Sequence, residues 1–162
     1  MQNKINILNK IVAEQMSQIK DPLVRSSLEE ILIEPVQHFR KWDYGEINEE
    51  LECWTIATEK FYDTSIVYSE FGFGPKCPWG LVTASDNYFG MDSGWFKSLK
   101  ECFLDSFMAG DLPIWFIEKR TNQNDNEIVG ENLTMDKAFK IIGTLTENNK
   151  EYHVLVRKEK FL

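Results

Sequence analysis

Apolar positions recur every three to four residues at the start of the chain, at Ile5, Leu8, Val12, Met16 and Ile19, the spacing of an amphipathic helix. Asp21-Pro22 resets the pattern. Aspartate caps a helix start, and proline fits the first helical position. A second helix follows, with Leu23, Leu28, Ile31 and Leu32 on its apolar side, and Glu34-Pro35 is expected to end it, because the residue before a proline avoids helical geometry. Residues 1–34 are therefore expected to form a helical hairpin.

From Val36 the period shortens towards two, which predicts a strand over 36–42. Residues 43–52 are read as a loop. The segments CWTIAT (53–58) and SIVYSEF (65–71) are rich in strand formers and are expected to pair as a hairpin. WGLVTA (79–84) is a third strand, the Ser85-Asp86-Asn87 run a turn, and 88–91 a short fourth strand. Ser98 and Glu101 have the spacing of a capping box ahead of the apolar stripe Leu99, Cys102, Phe103 and Phe107, so a helix is expected over 98–109. LPIWFIE (112–118) reads as a strand, and Pro113 puts it at a sheet edge or sits at its start. The polar run 121–130 is expected to be a mobile loop. Thr134 is expected to cap a helix over 135–142 that Gly143 stops, and 143–161 to form a hairpin turning at ENNK (147–150). The resulting expectation is a single α+β domain over 1–162: the helical hairpin packed on a largely antiparallel sheet, with two further short helices. Its parts are 1–34, a sheet core over 35–118 that carries the helix 98–109, and a helix plus hairpin over 131–162.

Composition narrows the function classes. A chain of 162 residues with 43% hydrophobic and 13% aromatic content can bury a real core. No apolar run has the length of a membrane span, and the N-terminus has no apolar core of a signal peptide, so a cytoplasmic protein is expected. Three cysteines, Cys53, Cys77 and Cys102, and two scattered histidines, His38 and His153, fit neither a disulfide framework nor a zinc site. No metal and no cofactor is expected. The formal charge of −8, from 26 acids and 18 bases, disfavours direct contact with nucleic acid or an anionic membrane and favours a basic partner.

Candidate chemistry is sparse. Cys77 lies between Lys76 and Pro78 in a Gly/Pro-rich loop, but a nucleophile there needs a base from His38 or His153. Asp86 and Asp92 flank an aromatic stretch, the raw material of sugar hydrolysis, yet both are natural turn and cap residues. FGFGPKCPWG lacks the spacing of a phosphate-binding loop. No catalytic residue is assigned. The acidic run is more informative: Asp43, Glu46, Glu49, Glu50 and Glu52 carry no base among them, and Tyr44, Ile47 and Leu51 are interleaved. Charge steers encounters and aromatics anchor them. A second acidic group, Asp125, Glu127 and Glu131, falls in the polar run.

A small acidic α+β chain without a catalytic set resembles the bacterial immunity proteins of toxin and contact-dependent growth inhibition systems. The blocks FGFGPKCPWGLV and FGMDSGWFKSL resemble a motif of small bacterial proteins of that kind, over roughly residues 42–105. The resemblance implies a one-to-one complex with a cognate protein toxin, often a basic nuclease, whose active site is blocked. The expected function is that of a protein-binding inhibitor, not an enzyme, with Asp43, Tyr44, Glu46, Glu49, Glu50, Glu52, Asp86 and Tyr88 as partner-binding residues. The alternative is a small enzyme or ligand-binding domain with a pocket in the Gly/aromatic region 72–96, most of which is read as the structural centre, with Trp95 and Phe96 packed on the sheet and the loop 72–78 as its exposed remnant.

Overall fold

The structure, a computed structural model, describes residues 2–42, 45–46, 49–70, 72–73, 76–90, 94–120, 126–146 and 152–157. Among these are four helices and eight strands, with every strand pair antiparallel, so the fold is α+β. The chain divides into two compact units, 1–109 and 110–162.

The first unit opens with α1 (Gln2–Gln18) and α2 (Pro22–Ile31). Asp21 caps α2 as expected, its carboxylate accepting from the Leu23 and Val24 amides at 3.0 and 3.3 Å. The helix stops earlier than Glu34-Pro35, because the alternation of Leu32, Ile33 and Glu34 already belongs to β1 (Leu32–Lys41). Pro35 sits inside that strand, where the register with β2 shifts between Leu32 and Val36; a proline is tolerated at such an irregularity of an edge strand. β2 (Glu50–Glu59), β3 (Thr64–Tyr68), β4 (Trp79–Thr83) and β5 (Trp95–Phe96) follow in simple order, β1-β2-β3-β4-β5. The expected hairpin of 53–58 with 65–71 is the β2–β3 pair. The strand expected over 88–91 is instead a single parallel bridge between Tyr88 and Lys41, and Trp95–Phe96 takes the place beside β4. Gly90, at φ +72°, turns the chain away directly after Phe89.

Period-two alternation gives this sheet two unlike faces. Trp54, Tyr68 and Trp79 are cross-strand neighbours on one face. α1 lies over it, with the Lys4 ammonium 5.9 Å from the Trp54 ring centre. α2 packs against β2, and α3 (Leu99–Asp105) against α1, β4 and β5. The capping box of α3 is formed: Ser98 Oγ accepts from the Glu101 amide, and the Glu101 carboxylate from the Ser98 amide. The opposite face carries Cys53, Val67, Val82 and Trp95, with Phe89 against them and Trp42, Leu51, Phe73 and Cys77 around.

The sheet is strongly curled. In a flat sheet β1 and β4, three strand spacings apart, would be separated by about 14 Å. Yet Arg40 Nη1 of β1 lies 3.1 Å from the Thr83 carbonyl of β4. The same nitrogen donates to the Asp86 and Tyr88 carbonyls at 2.5 and 3.2 Å. Arg40, 4% exposed, thus clamps segment 83–88 against the end of β1.

The second unit is a three-stranded sheet in the order β7-β6-β8, formed by β6 (Trp115–Arg120), β7 (Asn126–Leu133) and β8 (Tyr152–Arg157), with α4 (Met135–Thr146) packed on all three. Three expectations are corrected here. The polar run expected as a loop becomes strand β7 from Asn126 onward; Ile128 and Val129 in it are exposed, so its polarity reflects a strand with little to bury. Residues 121–125 lie outside the described residues. α4 passes through Gly143 because its apolar stripe, with Ala138 buried, continues to Leu145; packing overrides the ~1 kcal/mol cost of one helical glycine. β8 pairs with β6 instead of forming a terminal hairpin. Thr134 caps α4, accepting from the Lys137 amide at 3.4 Å.

Candidate functional site

The residues that sequence reasoning singled out come from two stretches almost forty positions apart, and the Lys41–Tyr88 bridge joins them. The Lys41 amide donates to the Asn87 carbonyl at 2.8 Å, and the Phe89 amide donates back to the Lys41 carbonyl at 2.9 Å. On its other side Lys41 pairs with Glu50 of β2. Glu50 and Tyr88 therefore flank one residue, about two strand spacings or ~10 Å apart. Glu46, Glu49, Glu50 and Asp86 are exposed around this edge. Two large apolar side chains are exposed with them, Tyr88 (42%) and Phe39 (51%), the latter two residues before Lys41. Asp43 and Tyr44, and also Asp92 and Asp125, lie outside the described residues.

Glu52 is placed differently from the other acids. It is a strand residue on the helix-bearing face, half-buried, and its carboxylate accepts from the Lys4 ammonium and from Gln37 Nε2 at 2.6 Å. Burial alone would raise its pKa, but the hydrogen bonds from Lys4 and Gln37 outweigh that and hold it below the ordinary carboxylate value. Glu52 ties α1 to the sheet.

A pocket opens beside this edge on the helix-free face. It has a volume of about 280 Å³ and is lined by Trp42, Glu49, Leu51, Gly72, Phe73 and Phe89. Its aromatic walls are continuous: Trp42 meets Phe73 edge-on with ring centres 6.1 Å apart, Phe73 meets Trp95 at 5.9 Å, and Trp95 meets Phe89 at 5.2 Å. Trp95 can lie flat here because nothing projects from the two glycines beneath it. A Cβ on Gly72 or Gly80 would come within 2.5 or 2.8 Å of the indole. Glu49 is held in the wall by the turn that precedes β2, its Oε2 accepting from the Glu46 amide at 3.1 Å. The Ser69 hydroxyl fastens the neighbouring loop to β2 by donating to the Glu52 carbonyl at 2.8 Å.

The thiols are placed as packing groups. Burial raises Cys53 to about 11, against an opposing pull from Arg40, and burial likewise pushes Cys102 well up, so both are protonated and inert at neutral pH. Cys77 is half-buried against the aromatic cluster. His38 lies opposite Cys53 in the β1–β2 register, and burial together with Arg40 lowers its pKa. Each shift favours the neutral form, the reverse of a thiolate–imidazolium pair.

Among the described residues no group of three or more His, Cys, Asp or Glu is placed to hold a metal ion, and no helix is long and apolar enough to cross a membrane. Sequence reasoning missed Arg40, Phe39 and the role of Trp42 and Phe73. For Arg40 the strand's own pattern gave no signal, since Val36 and His38, which alternate with it, are exposed. For the pocket the signal was the Gly/aromatic region 72–96, which supplies Gly72, Phe73 and Phe89; the walls given by Trp42, Glu49 and Leu51, from the end of β1 and the start of β2, were not foreseen. Comparison with protein-family models, curated proteins and solved structures finds no match.

Proposed function

We propose that this chain is a protein-binding inhibitor of the immunity-protein kind, which neutralises a cognate toxin domain by covering its active site with the acidic edge at Lys41. The observation that carries this reading is the convergence of Glu46, Glu49, Glu50 and Asp86 with the exposed Phe39 and Tyr88 around a single bridged residue. Exposed aromatics inside a ring of like charge are what a contact with a basic surface requires: the rings anchor, and the charges steer and select. A nuclease presents such a surface, because it binds phosphates with lysines and arginines. The chain then acts by occlusion and needs no catalytic group or cofactor of its own, and its place of action is the cytoplasm.

The test is co-expression in bacteria with candidate toxin domains taken from the reading frames that neighbour this chain's own. The wild-type chain should restore growth, and the triple variant Glu46→Lys, Glu50→Lys, Asp86→Lys should not, although all three sites are exposed and the variant folds. Equal rescue by both chains would refute the acidic edge as the contact.

A further inference from the structure

We infer that the aromatic pocket of the first unit is a receptor for one cationic side chain, an arginine or lysine projecting from the partner protein. This inference rests on the protein-binding reading of the adjacent edge and gives it a specific anchor.

Three features of the pocket define its occupant. The first is size. At about 280 Å³ it lies at the low end of ligand sites, roughly 300–1,000 Å³, and has room for a single long side chain. The second is the chemistry of the walls. Trp42, Phe73 and Phe89 supply aromatic rings and Leu51 an aliphatic surface, while among the described lining residues Glu49 is charged. Aromatic faces attract cations through the ring quadrupole, most strongly at tryptophan. A carboxylate beside them gives the cation a counter-charge and leaves an anion or a neutral apolar group with a desolvated acid to face. The third is preorganisation. The turn that positions Glu49 is closed by two backbone bonds, from the Gly45 amide to the Trp42 carbonyl at 3.0 Å and from the Glu49 amide to the Glu46 carbonyl at 2.9 Å. Glu49 Oε2 spends one lone pair on the Glu46 amide; a carboxylate can accept about four hydrogen bonds, which leaves capacity for an ammonium or guanidinium.

The surroundings agree with that occupant. Glu46 and Glu50 stand exposed near the pocket and raise the local concentration of cations.

The experiment uses the full chain in solution and a defined probe. N-acetyl-arginine N-methylamide is titrated while the indole N–H resonance of Trp42, assigned with a Trp42→Phe variant, is followed by NMR. The neutral citrulline counterpart serves as the control. The arginine probe should shift the Trp42 resonance saturably, with a roughly millimolar dissociation constant for a lone side chain. The citrulline probe should not. Glu49→Gln should weaken arginine binding about five- to tenfold, and Phe73→Leu about threefold. Equal responses to both probes, or an unchanged constant in Glu49→Gln, would overturn the assignment. Either result leaves the edge reading intact, because that reading is judged with the toxin and the Glu46, Glu50 and Asp86 reversals, which spare Glu49. With the partner in hand, Glu49→Gln should raise the dissociation rate about tenfold and leave the association rate nearly unchanged. An unaltered dissociation rate would show that the partner does not use the pocket.

Discussion

Single residues set the shape of the helix-free face. Gly80 is the clearest case, since Trp95 lies directly on it and on Gly72. Gly80→Ala forces the indole or β4 to shift, and a loss of ~1–3 kcal/mol is expected in urea denaturation. Gly143 is the matched control: it lies inside α4 with nothing within 4 Å of the Cβ position, so Gly143→Ala should stabilise by ~0.5–1 kcal/mol. Glu52 gives a test by pH. Its folded pKa is lowered, so its contribution is present above the unfolded value and is lost as pH falls through the folded one. Glu52→Gln should cost about 1 kcal/mol at neutral pH. The gap between the two proteins should close as pH drops below 4.5, the ordinary value for this carboxyl. A gap that stays constant down to acid unfolding would remove Glu52 from the α1 tie. At this scale much was legible in sequence: interleaved glycines and aromatics announced close packing of rings on backbone. Which of the rings were core and which lined a pocket was not, because Trp42 and Phe73 differ from Trp79 in position on a curled surface and not in local pattern.

Among elements, the device that matters most is the segment 83–88, strapped to the end of β1 by Arg40. Three carbonyls depend on one buried guanidinium nitrogen. Replacing Arg40 by methionine keeps the bulk and strands those carbonyls, which predicts a loss of about 3 kcal/mol. The sharper readout is hydrogen exchange: the Phe89 amide, bonded to the Lys41 carbonyl, should lose protection in Arg40→Met, while amides of the β2–β3 ladder keep theirs. Equal loss across the sheet would make Arg40 a general core residue instead of a clamp. The helices and the β2–β3–β4 meander were legible, because they follow from periodicity, capping and short connections. The elements misread were those set by partners far along the chain. Tyr88 joins β1 only because the sheet curls, β7 is too polar to show its period, and β8 pairs with β6 across α4.

At the scale of the molecule, charge and topology act together. A net charge of −8 is by itself a matter of solubility. The fold gives part of it a place, by drawing Glu46, Glu50 and Asp86 to one edge beside exposed rings and a carboxylate-walled pocket. The acidic run was visible in the sequence, and its meeting with Asp86 and Tyr88 was not, since a non-local bridge creates it. A steered complex is sensitive to salt, and its association rate carries most of that sensitivity.

The central claim is thus tested most directly by stopped-flow association of this chain with the proposed toxin partner at low and at physiological ionic strength. The account predicts that the wild-type rate falls as salt is raised. It also predicts that the triple variant Glu46→Lys, Glu50→Lys, Asp86→Lys associates at least tenfold more slowly at low salt, with the difference narrowing as salt screens it. Equal rates for the two chains at low salt, or a wild-type rate indifferent to salt, would contradict it.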